Sequence, residues 1–369
     1  MKLMKTTEAV GQVLCHDITQ IIPGVKKDAV FRKGHIITKE DIPVLLSVGK
    51  DTIYIWENDE TMMHENEAAE VLYRMSACGT NSNETDAEGH CEAAESGAFG
   101  GTASKMHPSS VKEGKIEVIA DCDGLLKVDS EKLKKVNSFG EMMIATRHGN
   151  TTVKKGDKLA GTRIIPLVIK KDKLEAASHI CDDGPILDIK PFVVRKAAII
   201  TTGNEVYHGR IQDAFTPVIE KKIAEFGAQM MFHEVFDDDE QKITDGCLRA
   251  IEAGAEIVFC TGGMSVDPDD KTPLAIKNTG ARIVSYGSPV LPGAMFLLSY
   301  YDAGDRLVPI CGLPGCAMYN KRTIFDIVLP RLMACDMILA DELAGLGEGG
   351  LCLNCDVCTF PNCGFGKGF

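Results

Sequence analysis

Residues 196–215 read KAAIITTGNEVYHGRIQDAF. The apolar run at 197–201 has the continuous hydrophobicity of a parallel strand buried on both faces. Gly203 ends it, Glu205 follows within two residues, and a second turn at Gly209 leads to Asp213, a residue type that caps helices. The helix predicted over 213–226 carries Phe215, Val218, Ile219, Ile223 and Phe226 at helical spacing. A strand, a glycine turn and a helix start together suit an anion. The turn lets backbone N–H groups approach closely, and a helix N-terminus favours negative charge. On its own the stretch is read first as an ordinary strand-to-helix connection.

Two further loops supply its context. Residues 256–261, EIVFCT, read as another buried strand and run into Gly262, Gly263, Met264 and Ser265, followed by Asp267, Asp269, Asp270, Lys271 and Thr272. A third strand, predicted over 307–311, ends in Gly312-Leu313-Pro314-Gly315. Between them the pattern predicts a strand at 229–235, a helix at 240–253, strands at 282–286 and 295–300, and a helix over 316–333. Alternating strands and helices imply an α/β domain with a three-layer, mostly parallel sheet. Ligands of such sheets sit outside the carboxyl ends of the strands, where all three glycine loops fall.

The segments TTGNE, GGMSVDPDD and GLPGCA, in this order and spacing, resemble the molybdopterin-binding domain of the molybdenum-cofactor biosynthesis family. That family includes the molybdopterin adenylyltransferases, the molybdopterin molybdenumtransferases and gephyrin. The resemblance covers residues 196–333. What it implies is binding of molybdopterin, or its adenylylated form, and molybdate insertion with release of AMP. It also implies self-association as a homo-oligomer.

Glu205 and Asp270 are the two carboxylates read as catalytic, each following a glycine turn at a strand end. Paired acids beside a phosphate-bearing ligand suit Mg²⁺, which takes one or two carboxylates plus phosphate oxygens. Thr202, Gly203, Asn204, Gly262, Gly263, Ser265, Lys271, Thr272, Gly312, Pro314 and Gly315 are read as the residues that hold the ligand. Lys271 would supply a point charge, the hydroxyls donors, and the glycines close backbone approach. The chain also departs from the family. Asn204 stands where an Asp is usual, Asp267 replaces a glycine, and Cys316-Ala317 replaces Asn-Pro. No Met-Asp-Gly-Tyr-Ala segment occurs in the N-terminal half, and Asp123-Gly124-Leu125 is not its equivalent.

Upstream, residues 1–76 read as a small α+β unit, with a short helix near 40–48, a strand at 52–56 ending in Trp56, and a helix over 58–75. Residues 77–112 shift to Gly, Ser, Asn, Thr and Glu and read as a linker or loop. Cys78, His90, Cys91 and His107 lie in it at spacings that fit no metal pattern. Residues 113–195 read as a β-rich second domain, and 196–336 as the ligand domain. The acid run 237–240 reads as a helix cap and dipole complement.

The last segment, 337–369, reads as a Gly-rich tether followed by Cys352, Cys355, Cys358 and Cys363 as C-x2-C-x2-C-x4-C. This spacing approaches that of bacterial ferredoxins and favours a [4Fe–4S] cluster, with Zn²⁺ and free thiols as alternatives. Cys247, Cys260 and Cys311 occupy apolar positions and read as small core residues.

Whole-chain properties bound these readings. The 369 residues suffice for two or three domains. The formal charge of −13 argues against a polynucleotide partner. No run approaches a membrane span and no secretory leader is evident, so the reading is a cytoplasmic protein with reduced thiols. Three functions remain open: a molybdenumtransferase-like enzyme; a non-catalytic molybdopterin carrier, sensor or insertion partner for a molybdoenzyme; and a hydrolase of another nucleotide-like anion.

Overall fold

A computed structural model describes residues 2–22, 26–55, 59–79, 105–265, 267 and 270–368. Trp56, His90, Cys91 and Asp269 lie outside the described residues. By internal packing the chain divides into two units rather than successive blocks: residues 1–122, 128–147 and 155–188 form one, and residues 123–127, 148–154 and 189–369 the other. Among the described residues no helix is long and apolar enough to cross a membrane.

The first unit carries an antiparallel four-stranded sheet in the order Met106–Pro108, Lys115–Ala120, Lys158–Ile164, Met142–Thr146. The helix Glu65–Ala77 buries Ala68, Ala69, Leu72, Tyr73 and Met75. This helix is shorter than the predicted 58–75, because Met62–His64 forms a strand paired with Val168–Lys170. His64 then caps the helix, its Nδ1 accepting the Asn66 N–H at 3.2 Å. Met106–Pro108, expected within the linker, is likewise a sheet strand. A smaller core gathers Leu14, Ile18, Ile37, Leu45 and Ile53.

The second unit is built on six strands: β1 Lys196–Thr202, β2 Gln229–Phe236, β3 Ile257–Thr261, β4 Arg282–Tyr286, β5 Leu297–Asp302 and β6 Leu307–Leu313. Their order in the sheet is β2-β1-β3-β6-β5-β4. β1, β2, β3 and β6 run parallel. β5 is antiparallel to both its neighbours, so β4 again points with the parallel set. The helices are α1 Asn204–Tyr207, α2 Phe215–Ala224, α3 Glu240–Glu252, α4 Thr272–Asn278, α5 Ile324–Met333 and α6 Ala340–Gly345.

Strand alternation sorts the buried side chains into two layers. Ala197, Ile199, Ile257 and Phe259 pack with Ile219 and Ile223 of α2 and with Phe325, Val328 and Leu329 of α5. Ala198, Ile200, Val258 and Cys260 pack on the opposite face with Ile243 and Cys247 of α3 and Ile276 of α4. Cys247, Cys260 and Cys311 are fully buried, in keeping with their apolar sequence positions. Phe259 meets Phe325 edge-on, with ring centroids 5.3 Å apart.

Two expectations fail in this unit. The helix predicted over 316–333 is a 3-10 turn at Gly315–Met318 followed by a separate α5, because Thr323 and Asp326 form a reciprocal capping box that starts a new helix. The Gly-rich stretch after residue 337 is not a tether. α6 buries Leu343, and Phe365 is 5% exposed within the same core as α5.

Candidate functional site

The chain passes from β1 outward to β2, returns through α3 to β3 on the other side of β1, and then continues through α4 to β4 at the far edge. Connections therefore diverge between β1 and β3, and a crevice opens outside the carboxyl ends of those two strands. The loop after β1 carries Gly203, Asn204 and Glu205, and the loop after β3 carries Gly262, Gly263, Met264 and Ser265.

Three contacts among two hydroxyls and two carbonyls lock these loops together. Thr202 ends β1, is 4% exposed, and donates to the Thr261 carbonyl at 3.1 Å. Thr272, fully buried at the start of α4, donates to the Gly262 carbonyl at 2.9 Å and stands 3.1 Å from the Thr202 hydroxyl. These two threonines, read from sequence as ligand donors, form the frame of the site. Gly262 adopts φ +83°, and a Cβ there would lie 2.1 Å from the Thr202 carbonyl oxygen. Gly263 has φ +54°, and its Cβ would come within 2.8 Å of Thr272 Oγ1. Only glycine permits this approach of one strand end to the other.

The remaining predicted residues differ in burial and contacts. Gly203, at φ 131°, donates its N–H to the Phe236 carbonyl at 3.2 Å, and Asn204 donates its N–H to an Asp238 carboxylate oxygen at 3.2 Å. Glu205 is exposed on α1, and Ser265 is exposed beyond Met264. Asp270 and Lys271 are half-buried just before α4, Asp270 donating its N–H to the Asp267 carbonyl at 3.0 Å. Gly312 lies inside β6, where a Cβ would meet Met264 Sδ at 2.4 Å, so it seats the glycine-glycine loop on the sheet. Pro314 is buried, while Gly315 is exposed and opens onto free space.

The edge also holds Tyr286, which the sequence reading does not single out, and Asp213, which it reads as a helix cap. Tyr286 ends β4, its hydroxyl donating to the Met264 carbonyl at 3.3 Å. Partial burial and the negative charge of Asp270 raise its phenol above the ordinary range, placing ring and carboxylate in one neighbourhood. The signal was a tyrosine at the end of a strand that runs with the parallel set. Asp213 accepts the N–H groups of Phe215 and Thr216, at 2.8 and 3.1 Å, and the hydroxyls of Thr201 and Thr216. Burial alone would raise its pKa, but these hydrogen bonds hold the carboxyl below its ordinary value. Of the acid run, Asp239 caps α3 as expected. Asp237 pairs with Lys242 at 2.7 Å, yet its Oδ1 is buried with no hydrogen-bond partner.

The four tail cysteines lie elsewhere and line one cavity of about 440 Å³. Among the described residues no group of three or more His, Cys, Asp or Glu side chains is disposed to hold a metal ion. Cys78 is disulfide-bonded, and His107 pairs with Asp121 at 2.6 Å. In the first unit a groove of about 570 Å³ mixes Arg32, Lys112 and Arg163 with Asp17, Asp28 and Glu113.

Comparison with known proteins finds matches to two stretches of the chain. Residues 198–334 match the family described as "Probable molybdopterin binding domain", and residues 3–57 match a domain of unknown function (DUF8806). The resemblance read from the three glycine loops is thereby borne out for the ligand domain. A putative competence-damage inducible protein of Bacillus velezensis is 29% identical over 90 residues, covering 24% of this chain and 21% of that protein. A molybdopterin adenylyltransferase of Pyrococcus furiosus is 25% identical over 131 residues, 32% of this chain and 77% of the relative. A molybdopterin molybdenumtransferase of Staphylococcus epidermidis is 27% identical over 146 residues, 36% of this chain and 34% of the relative. Among solved structures, the tungsten cofactor synthesizing protein MoaB from Pyrococcus furiosus is similar at 18% identity and a TM-score of 0.30, covering 38% of this chain and 88% of its own.

Proposed function

We propose that the second unit binds molybdopterin or its adenylylated form in the crevice between β1 and β3. We further propose that it takes part in Mg²⁺-dependent molybdate insertion during molybdenum-cofactor biosynthesis. The observation that carries this reading is the locked pair of loops. Thr202, Thr272, Gly262 and Gly263 fix two glycine turns face to face at the switch point of the sheet. A preformed site of this kind presents backbone groups to a ligand without having to order a loop on binding.

The described residues supply no three-ligand cage for a cation, so Mg²⁺ would be held by Glu205 and Asp270 together with the ligand's own phosphate oxygens. The unpartnered Asp237 oxygen at the end of β2 adds a third acid to the same edge. When bound, the ion would neutralise charge on the phosphate bridge. The protein's own groups would orient the ligand: Lys271 and Ser265 would contact the anion, beside the loop that Tyr286 holds through the Met264 carbonyl.

The second reading is a carrier, sensor or insertion partner for a molybdoenzyme. It is favoured by Asn204, an amide where the family has a carboxylate, with its N–H held by Asp238. Self-association belongs to either reading. The test is AMP release from adenylylated molybdopterin with Mg²⁺ and molybdate, wild type against Asp270→Asn. Molybdate-dependent release that is lost in the variant identifies the transferase. Tight pterin binding without release moves the protein to the carrier class, and no binding by either chain removes both readings.

A further inference from the structure

The groove of about 570 Å³ in the first unit belongs neither to the sheet-edge crevice nor to the tail. The antiparallel hairpin of Ile18–Ile22 and Lys26–Phe31 lines it through Thr19, Asp28 and Ala29, with Asp17 and Arg32 flanking the strands. The rest of its lining comes from the chain between Ser109 and Glu117 and from Arg163 on Lys158–Ile164. A second chamber of about 280 Å³ shares Asp17, Arg32, Ser110, Lys112 and Glu113 with the groove. It adds His16, Glu65 and Asn66, so groove and chamber form one recess with an outer and an inner end.

Acids and cations both line the groove, but their partners differ. Lys115 is paired with Glu117 at 2.8 Å. Asp17 accepts the Lys33 N–H at 2.7 Å, Asp28 the Ala29 N–H at 2.8 Å, and Glu113 the Thr19 hydroxyl at 3.3 Å. The side chains of Arg32, Lys112 and Arg163 make no hydrogen bond or ion pair with any described residue. The unmet capacity of the recess is therefore cationic. Two guanidinium forks and an ammonium suit a phosphate, whose three terminal oxygens can meet all three groups; a carboxylate has only two. The inner end has the opposite character. Glu65 is half-buried there, and a Cβ on Gly114 would lie 3.0 Å from its Oε2. Burial raises the Glu65 carboxyl above its ordinary range against the pull of the Arg163 charge. Burial, helped by Lys50, lowers the His16 imidazole, whose Nδ1 is enclosed with no hydrogen-bond partner. Groups that lean to their uncharged forms receive a neutral polar group more readily than a second charge.

We propose that this recess is a second ligand site, taking a small phosphate monoester. Its phosphate meets Arg32, Lys112 and Arg163, and its uncharged, hydroxylated body enters the chamber beside Glu65 and His16. The site is independent of the ligand proposed for the sheet edge. It lies partly within residues 3–57, the stretch that matches a domain of unknown function.

The test is titration calorimetry on the full chain with ribose 5-phosphate, inorganic phosphate and ribose as probes. Ribose 5-phosphate should bind most tightly, inorganic phosphate more weakly, and ribose not measurably. Arg32→Gln and Arg163→Gln, both at exposed positions, should each weaken ribose 5-phosphate about tenfold or more with an unchanged melting temperature. Glu65→Leu should reduce ribose 5-phosphate to the affinity of inorganic phosphate while leaving inorganic phosphate itself unchanged. Lys221→Gln, an exposed cation of the other unit, should alter neither. No binding of either phosphate, inorganic phosphate as tight as the ester, or binding unchanged in both arginine variants would each overturn the proposal.

Discussion

The hydroxyls of Thr202 and Thr272 meet at 3.1 Å across seventy residues of chain, joining the end of β1 to the start of α4. Both side chains are buried, so the contact is made in a low-dielectric setting where an unpaired polar group is costly. Three properties of the protein follow from this frame and from the ion cluster beneath α5.

Replacing Thr272 with Val keeps the shape and deletes the hydroxyl that serves Gly262 and Thr202. The stranded carbonyl should cost about 1–3 kcal/mol of stability. Thr272→Ser should restore most of it. Urea melts of the three chains, with pterin affinity measured in parallel, check this; a Val variant as stable as wild type would remove the frame from the account.

Gly262→Ala and Gly315→Ala separate structural from open glycines. At Gly262 a methyl group would meet backbone 2.1 Å away in a left-handed conformation, whereas at Gly315 it would meet nothing. The first should lose more than about 2 kcal/mol and most ligand binding. The second should melt as wild type does. Equal melting temperatures for the two would contradict the geometry.

Asp336 is the centre of a buried ion cluster. It accepts from Lys127 at 2.8 Å, Lys190 at 2.6 Å and Arg331 at 2.6 Å. Burial alone would raise its carboxyl, but the two lysine bonds and the Arg331 charge bring it down to about 2. A folded-state value below the unfolded one of about 3.9 means that its stabilisation is complete above roughly pH 4–5. That contribution, about 2.5 kcal/mol, is lost as the pH falls through about 2. Asp336→Asn should cost about 3–5 kcal/mol at neutral pH, because three cations lose their shared partner. It should also flatten the acid limb of a stability-against-pH curve, and an unchanged limb would show that other carboxylates control acid unfolding.

Much of the sheet was legible because a strand buried on both faces is a continuous apolar run, and because each such run here ends in glycine. The same logic puts Glu205 and Asp270 after β1 and β3, at the carboxyl ends of those strands. The roles of Thr202 and Thr272 were not legible, since a hydroxyl looks alike in sequence whether it faces a ligand or another loop. The start of α5 was readable in principle: Thr323 and Asp326 have capping-box spacing before an apolar run, and the long hydrophobic stretch masked it. The tail misled for a physical reason. Its glycines suggested slack chain, but Gly349 and Gly366 sit at φ +77° and +73° as turn residues, and one aromatic, Phe365, fixes the segment to the core.

The place of β6 bears on how the molecule is made. It is the last strand of the sheet to be synthesised, yet it lies between β3 and β5. Before it arrives, β2-β1-β3 and β5-β4 are two separate ribbons, each with an unpaired edge at the future centre. Such edges are templates for strands of other chains. A chain ending ahead of Leu307 would therefore expose, as unpaired edges, the strands meant for the middle of the sheet.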